Sequence, residues 1–311
     1  MLRNEKLQNS AGFSFCRLLA ALFLFSGMAM AHGQAGPPFR TDDPETPGNQ
    51  HWEINFGWLG DRNSEGGDYS VPDLDVNYGL GDRIQLKYEL PIALRETRAG
   101  GGISPTQKPL EVGFGESLLG VKWRFYEHMP TSDAGNRDED EAAAPNFSIS
   151  TYPQVSLKYP TTMTADAGLP DWSQFLLPIE TNARVGPLRV DGEVGYWFTR
   201  GQIAQSWIRG MIVGHEFSRK SEAYVEIYDQ QDANRVDGQA KKREATLGVG
   251  GRRVLNRENS VLLLLMGGRS FQKVALGNGQ PSWIAYVGVQ LLLAPKQRDH
   301  MAGGLIPGER F

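Results

Sequence analysis

The sequence predicts an all-β fold, a transmembrane antiparallel up-and-down β-barrel of about twelve strands. Three observations predict it: an N-terminus of export type, a series of segments that alternate apolar with polar residues, and connections that alternate between long and short.

Arg3, Lys6 and Arg17 precede an apolar run from Leu18 to Met30. That run is too short to span about 30 Å of hydrocarbon as a helix, which takes roughly 20 apolar residues. Small residues follow at Ala29 and Ala31, and again at Gly33 and Ala35, so residues 1–35 read as a secretory signal peptide cleaved near 31 or 35. The single cysteine, Cys16, lies ahead of the apolar run and leaves the exported chain without a disulfide. Residues 36–50 are rich in proline and read as an N-terminal periplasmic segment; residues 51–293 form the barrel and 294–311 a C-terminal tail. A formal net charge of -4 gives no basic field for nucleic acid. No second apolar stretch has the length of a membrane helix, whereas strands that show lipid only alternate residues need none.

The alternation is plain along the chain. Trp52, Ile54, Phe56 and Trp58 interleave with Glu53, Asn55 and Gly57. Leu74, Val76 and Tyr78 alternate with Asp73, Asp75 and Asn77, and after a tight turn at Gly79–Asp82 the pattern resumes with Ile84, Leu86, Tyr88 and Leu90. Leu119, Val121, Trp123 and Phe125 follow, then Phe147, Ile149, Val155 and Leu157, then Phe175, Leu177 and Ile179. Leu188 to Phe198, Val225 with Ile227, Ala245 to Val249, and Trp283 to Leu291 complete the phased set. Period-two patterning of this kind marks strands with one greasy and one polar face. Two segments are poorly phased: around Trp207 to Phe217 the Met211–Val213 face also carries Arg209 and His215, and Val261 to Met266 is apolar on both faces.

Outer-membrane barrels have short periplasmic turns and longer external loops. With the N-terminus on the periplasmic side, the links at 60–70, 95–115, 229–241 and 271–282 are long, and those at 79–82, 185–187 and 218–221 are short. The acidic stretch 132–145, with Asp138, Glu139, Asp140 and Glu141, breaks the rule by being long where a short turn is expected. Trp52, Trp58, Tyr78, Trp123, Phe125, Phe198 and Trp283 fall near strand ends on the apolar face, where a barrel carries its aromatic girdles. A soluble β-sandwich would bury the same rings between two sheets and leave the charges in bulk solvent. In the barrel, the opposite faces make Lys87, Glu89, Lys122, Arg124, Lys158, Glu180, Arg189, Asp191, Glu193 and Glu226 candidates to line the lumen.

The run Gly36-Pro37-Pro38-Phe39-Arg40-Thr41-Asp42-Asp43-Pro44-Glu45, followed by His51-Trp52-Glu53, resembles the opening of a bacterial outer-membrane family labelled the MetA pathway of phenol degradation, or transporter, family. Pro72 to Leu90 with its Asn77-Tyr78-Gly79 turn is similar to a second element of that family, and Gly113-Phe114-Gly115-Glu116 leading into Gly120 to Phe125 to a third. The resemblance implies an outer-membrane barrel that moves small solutes, aromatic compounds among them, and it brings no catalytic residues with it.

The residues point to no enzyme. His51, His128, His215 and His300 are scattered, no pair has metal-ligand spacing, and the glycine clusters at 100–102 and 250–251 lack the lysine of a phosphate loop. Asp42, Asp43 and Glu45 stand close together, but the prolines at 44 and 47 favour a turn-rich tail over a calcium site. The expectation is a passive channel without cofactor or metal. Its expected partners are outer-membrane lipid, a small-molecule solute and the barrel assembly machinery. The alternatives are a structural or adhesive barrel and, less favoured, a barrel lipid hydrolase.

Overall fold

A computed structural model describes residues 37–97, 110–129, 145–157, 172–199, 205–235, 241–274, 277–278 and 281–295. Residues 1–35, expected as a signal peptide, Lys158, nearly all of the acidic stretch 132–145, and the expected tail from 296 lie outside the described residues.

Twelve antiparallel strands close into one barrel, with no helix among the described residues. They are β1 (Trp52–Arg62), β2 (Gly66–Leu80), β3 (Ile84–Thr97), β4 (Leu110–Phe114 continued by Ser117–His128) and β5 (Phe147–Thr151 continued by Gln154–Leu157). Then follow β6 (Trp172–Val185), β7 (Leu188–Thr199), β8 (Ser206–Ser218), β9 (Ser221–Asp232), β10 (Lys242–Val254), β11 (Val261–Val274) and β12 (Ser282–Leu293). Each strand pairs with its neighbours in sequence, and β1 closes on β12 from Trp52↔Leu293 to Arg62↔Trp283. Closure is what lipid demands, because an unpaired strand edge in hydrocarbon would leave backbone groups without hydrogen bonds.

Three of the departures from regular pairing shape the wall. Proline has no N–H to give to a ladder, and the β2 register against β3 shifts between Ser70 and Asp73, around Pro72. β5 breaks at Tyr152 and Pro153, where Val121 N–H bonds the Pro153 carbonyl instead of a regular partner. β4 carries a bulge between Arg124 and Tyr126 opposite β5, which puts both Phe125 and Tyr126 on the outer face.

The outer wall is apolar and exposed along its height: Phe56, Leu86, Val121, Ile179, Val194, Val213, Ile227, Val249, Leu265 and Val287 all show to the outside. Aromatic rings gather at both rims. At the end bearing the tight turns, Trp52 meets Tyr78 at 4.6 Å, Trp123 meets Phe125 at 5.6 Å, and Tyr126 meets Phe147 at 6.1 Å. At the opposite end Tyr196 packs on Trp207 at 4.7 Å and on Phe198 at 4.8 Å, and the Arg269 guanidinium lies 4.7 Å from the Trp283 ring. An apolar belt between two aromatic rims matches a bilayer and no aqueous surroundings.

The structure gives faces to the two poorly phased strands. On β8, Trp207, Met211, Val213 and Phe217 point out together with Arg209 and His215, while Ser206, Ile208 and Ile212 point in. On β11, Leu262, Leu264 and Met266 are the inward set and join Phe39, Ile212, Tyr224, Ile284 and Tyr286 in an apolar cluster inside the barrel. One wall of the interior is therefore dry and packed, and that is why β11 is apolar on both faces.

Val249 stands half-way along β10, is 57 % exposed on the outer wall, and sits between Val225 and Gly267. Val249→Arg is expected to destabilise the folded barrel in lipid vesicles by about 2–4 kcal/mol, read by urea titration of heat-modifiable gel migration. An unchanged midpoint would mean that this face does not meet hydrocarbon.

Candidate functional site

The interior is organised by residues 37–50. Expected as a periplasmic segment, this stretch instead runs inside the barrel from the tight-turn end to mid-height, with Phe39, Thr41, Asp43 and Glu45 all buried. The physical reason is charge: its three carboxylates meet a lumen wall that presents lysine and arginine. Its prolines hold it extended and remove N–H groups that would otherwise need partners there.

The tight-turn end fixes the entry. Gln50 N–H bonds the Gly79 carbonyl at 2.8 Å, and Gly79 N–H bonds the His51 carbonyl at 2.9 Å. Position 79 must be glycine, since a Cβ there would stand 1.8 Å from the Gly48 carbonyl oxygen. Asn49 and Thr46 tie to the same turn: Gly81 N–H donates to Asn49 Oδ1 at 3.0 Å, and Thr46 Oγ1 donates to the Asp82 carbonyl at 2.8 Å.

Deeper in, six of the predicted lumen residues converge on the segment or its partners. Lys122, only 1 % exposed, bonds Asp42 Oδ1 at 2.7 Å and the Asp43 carbonyl, with Glu180 Oε2 at 3.7 Å. Its ammonium also lies 4.7 Å from the centre of the Tyr152 ring. Arg189 pairs with Asp43, with Asp191 at 2.7 Å and with Glu45 at 3.6 Å, and Arg184 pairs with Glu45. Glu226 accepts three hydrogen bonds through one oxygen, from Arg40 N–H at 2.9 Å, Thr41 N–H at 2.7 Å and Thr41 Oγ1 at 2.8 Å. Glu193 accepts Asp42 N–H at 3.1 Å. Thr41 presses on β8 at Gly210, where a Cβ would stand 2.2 Å from its hydroxyl. The Phe39 ring packs edge-on against Tyr224 at 5.6 Å.

The other predicted residues take separate places. Lys87 and Glu89 form a pair at 3.1 Å on the β3 wall, beside the segment and not bonded to it. Arg124 turns to the tight-turn end, where it bonds the Asp82 carbonyl at 2.7 Å and Glu127 at 3.0 Å. Lys158 falls outside the described residues. Sequence reasoning missed Arg40 to Glu45 as part of the interior, and with them Tyr152. The available signal was the density of acids at 42, 43 and 45, opposite a lumen that carries Lys122, Arg184 and Arg189 on neighbouring strands.

Above this clasp lies a cavity of about 600 Å³. Pro37, Pro38, Phe39 and Arg40 form its floor, and it reaches towards Asp68 and Arg95 at the long-link ends of β2 and β3. Its lining is mixed: Asp73, Lys87, Glu89 and Glu193 among the charges, Leu59, Leu176, Ile208, Met266 and Ile284 among the aliphatics, and Trp197, Tyr228 and Tyr286 among the rings. No group of three or more His, Cys, Asp or Glu residues with metal-binding geometry occurs among the described residues. The cavity has room for a small solute, and no nucleophile–base pair lines it among the described residues.

The architecture and this interior define the class: a closed twelve-stranded transmembrane β-barrel with a polar lumen occupied by its own N-terminal segment. Among solved structures the chain is similar to the COG4313 outer membrane channel from Pseudomonas putida F1, with 12 % identity and a TM-score of 0.59 over 81 % of this chain and 98 % of that one. Matches at TM-scores of 0.44 and 0.40 are the KdgM porin, 10 % identical over 76 % of this chain and 98 % of the porin, and the CymD monoaromatic hydrocarbon channel, 5 % identical over 78 % and 88 %. No family profile and no curated protein sequence matches the chain.

Removing one partner of a buried charge cluster leaves the others uncompensated, at a cost of about 3–5 kcal/mol. Lys122→Met is therefore expected to loosen residues 40–43 from the wall. Hydrogen exchange of the Arg40, Thr41 and Asp42 amides should accelerate at least tenfold while strand amides on β9 and β10 stay protected. Unchanged exchange at those three amides would mean that Lys122 does not anchor the segment.

Proposed function

We propose that the chain is an outer-membrane channel for the passive passage of small polar and amphipathic solutes, aromatic ones included, and that residues 37–46 close its lumen at rest. One observation carries the reading: an apolar exterior encloses a charged interior that holds a solute-sized cavity directly above a segment that is joined to the wall at the start of β1 and held inside by polar contacts. A barrel built only as a scaffold would fill its interior with side chains from the strands themselves. Here β8 instead offers Gly210 to the lumen, and the space is taken by Thr41 of the tethered strap.

The fold-level likeness to a solved outer-membrane channel supports both the channel reading and the outer-membrane location. The motif resemblance to the MetA-pathway family supports a small-solute cargo. On this reading the tight turns lie on the periplasmic side, lipid surrounds the aromatic rims, and the barrel assembly machinery inserts the chain. Transport needs no chemistry from the protein: selectivity follows from the width and field of the lumen.

The test is conductance in planar bilayers of the purified chain and of a variant lacking residues 37–46. The intact chain is expected to conduct weakly and the deletion variant at least several-fold more, with heat-modifiable migration verifying that both are folded. If the folded deletion variant conducts no better than a bare bilayer, the channel reading is wrong.

A further inference from the structure

The cavity has one wall whose charges do not balance. β2 and β3 present Asp73 and Glu89 to the cavity, with Asp75 next along the inner face of β2, and the cation among them is Lys87, 3.1 Å from Glu89 and 3.5 Å from Asp75. Lys122, the next cation on β4, is engaged by Asp42. Asp75 is 2 % exposed, and the Oδ1 atoms of both Asp75 and Asp73 are buried without a hydrogen-bond partner among the described residues. Carboxylates removed from water in excess of their counter-charges favour a cation brought from outside.

What stands beside Asp73 is apolar and aromatic. The Tyr286 ring lies flat across two glycines, its hydroxyl 2.5 Å from where a Cβ on Gly57 would stand and 2.6 Å from one on Gly288. Gly57 faces Asp73 across the β1–β2 ladder, so the hydroxyl end of Tyr286 is at the carboxylate. Leu59 and Met266 both face Tyr286 in register, from β1 and β11, and Ile284 follows two residues before it on β12. Asp73, Leu59, Met266, Ile284 and Tyr286 all line the cavity, over a floor of Pro38 and Phe39.

We propose that this part of the cavity is a binding site for small organic monocations that carry an apolar ring, the ammonium seated at Asp73 against Tyr286 and the ring lying on Leu59, Met266 and Ile284. The carboxylates supply charge attraction, the tyrosine hydroxyl accepts a hydrogen bond from the ammonium, and the aliphatic patch takes the body out of water. A neutral analogue keeps only the last of these, a bare alkylammonium only the first two, and a carboxylate analogue meets the like charges of Asp73 and Glu89. The proposal deepens the channel reading by naming its solute class. Binding requires no passage, however, so a chain that binds without conducting overturns the channel reading and leaves the site standing.

The test is isothermal titration calorimetry at pH 7 on the detergent-solubilised full chain, against a micelle blank, with phenethylamine, 2-phenylethanol and ethylamine as probes. Phenethylamine is expected to bind saturably at one site per chain, at least tenfold tighter than either of the others. Asp73→Asn is expected to weaken it tenfold or more, and Glu89→Gln, which thins the same wall, about threefold, with heat-modifiable migration reporting that each variant is folded. Equal affinity for 2-phenylethanol or for ethylamine, affinity unchanged in both variants, or no saturable binding of phenethylamine would overturn the proposal.

Discussion

A closed β-wall in lipid has two faces and no edges, and everything else in this molecule follows from that constraint. The ladder takes up the backbone groups of the paired strands, so the side chains decide what each face meets. Outside, the answer is hydrocarbon along the belt and amphipathic rings at the rims. Inside, the wall is too wide for strand side chains to meet across it everywhere, and the charges they carry are cut off from bulk water. Residues 37–50 resolve that problem by bringing in the missing counter-charges. Asp42, Asp43 and Glu45 answer Lys122, Arg189 and Arg184, and the backbone amides of Arg40, Thr41 and Asp42 answer Glu226 and Glu193.

That exchange is asymmetric in strength. Taking an ion out of water costs several kcal/mol even after relaxation, so neither the wall nor the strap is comfortable alone. The strap also offers nearly nothing apolar apart from Phe39, whose ring fits the packed wall of Tyr224 and Ile212. It is held by polar contacts at defined points and not by a continuous greasy interface. An element fastened in that way can be released as a unit, because each contact it loses inside the lumen can be replaced by water once the lumen is wet.

Much of this was legible in the sequence, and the failures have a common cause. Trp52 to Trp58 and Trp123 with Phe125 announced the outer face because lipid tolerates only one kind of side chain there, and period two then fixed the inward set. Lys122, Glu180, Arg189, Asp191, Glu193 and Glu226 were readable for the same reason. The strap was not, since an extended proline-rich stretch has no periodicity, and its acids look alike whether they face solvent or a buried lysine. The trace it left was indirect. Ile208 and Ile212 on β8 and the doubly apolar Val261 to Met266 on β11 break the alternation because something other than water lies against their inner face. Tyr152 escaped notice in the same way, as one inward residue beside a proline break.

The two halves of the lumen are consequently different in kind. Around Lys122 and Arg189 the charges are closed among themselves, each cation shared by two or more acidic partners, and little field is left over for a solute. Along β2 and β3 the wall keeps a surplus of carboxylate beside the flat ring of Tyr286, above the Pro38 and Phe39 floor of the cavity. Had the strap carried another basic residue beyond Arg40, that surplus would be neutralised internally. Instead Arg40 turns to Glu244 at 2.6 Å on β10. The barrel thus uses its own chain to settle one side of its interior and leaves the other side charged, apolar-backed and roomy, which is the condition under which selectivity for a visiting molecule can arise.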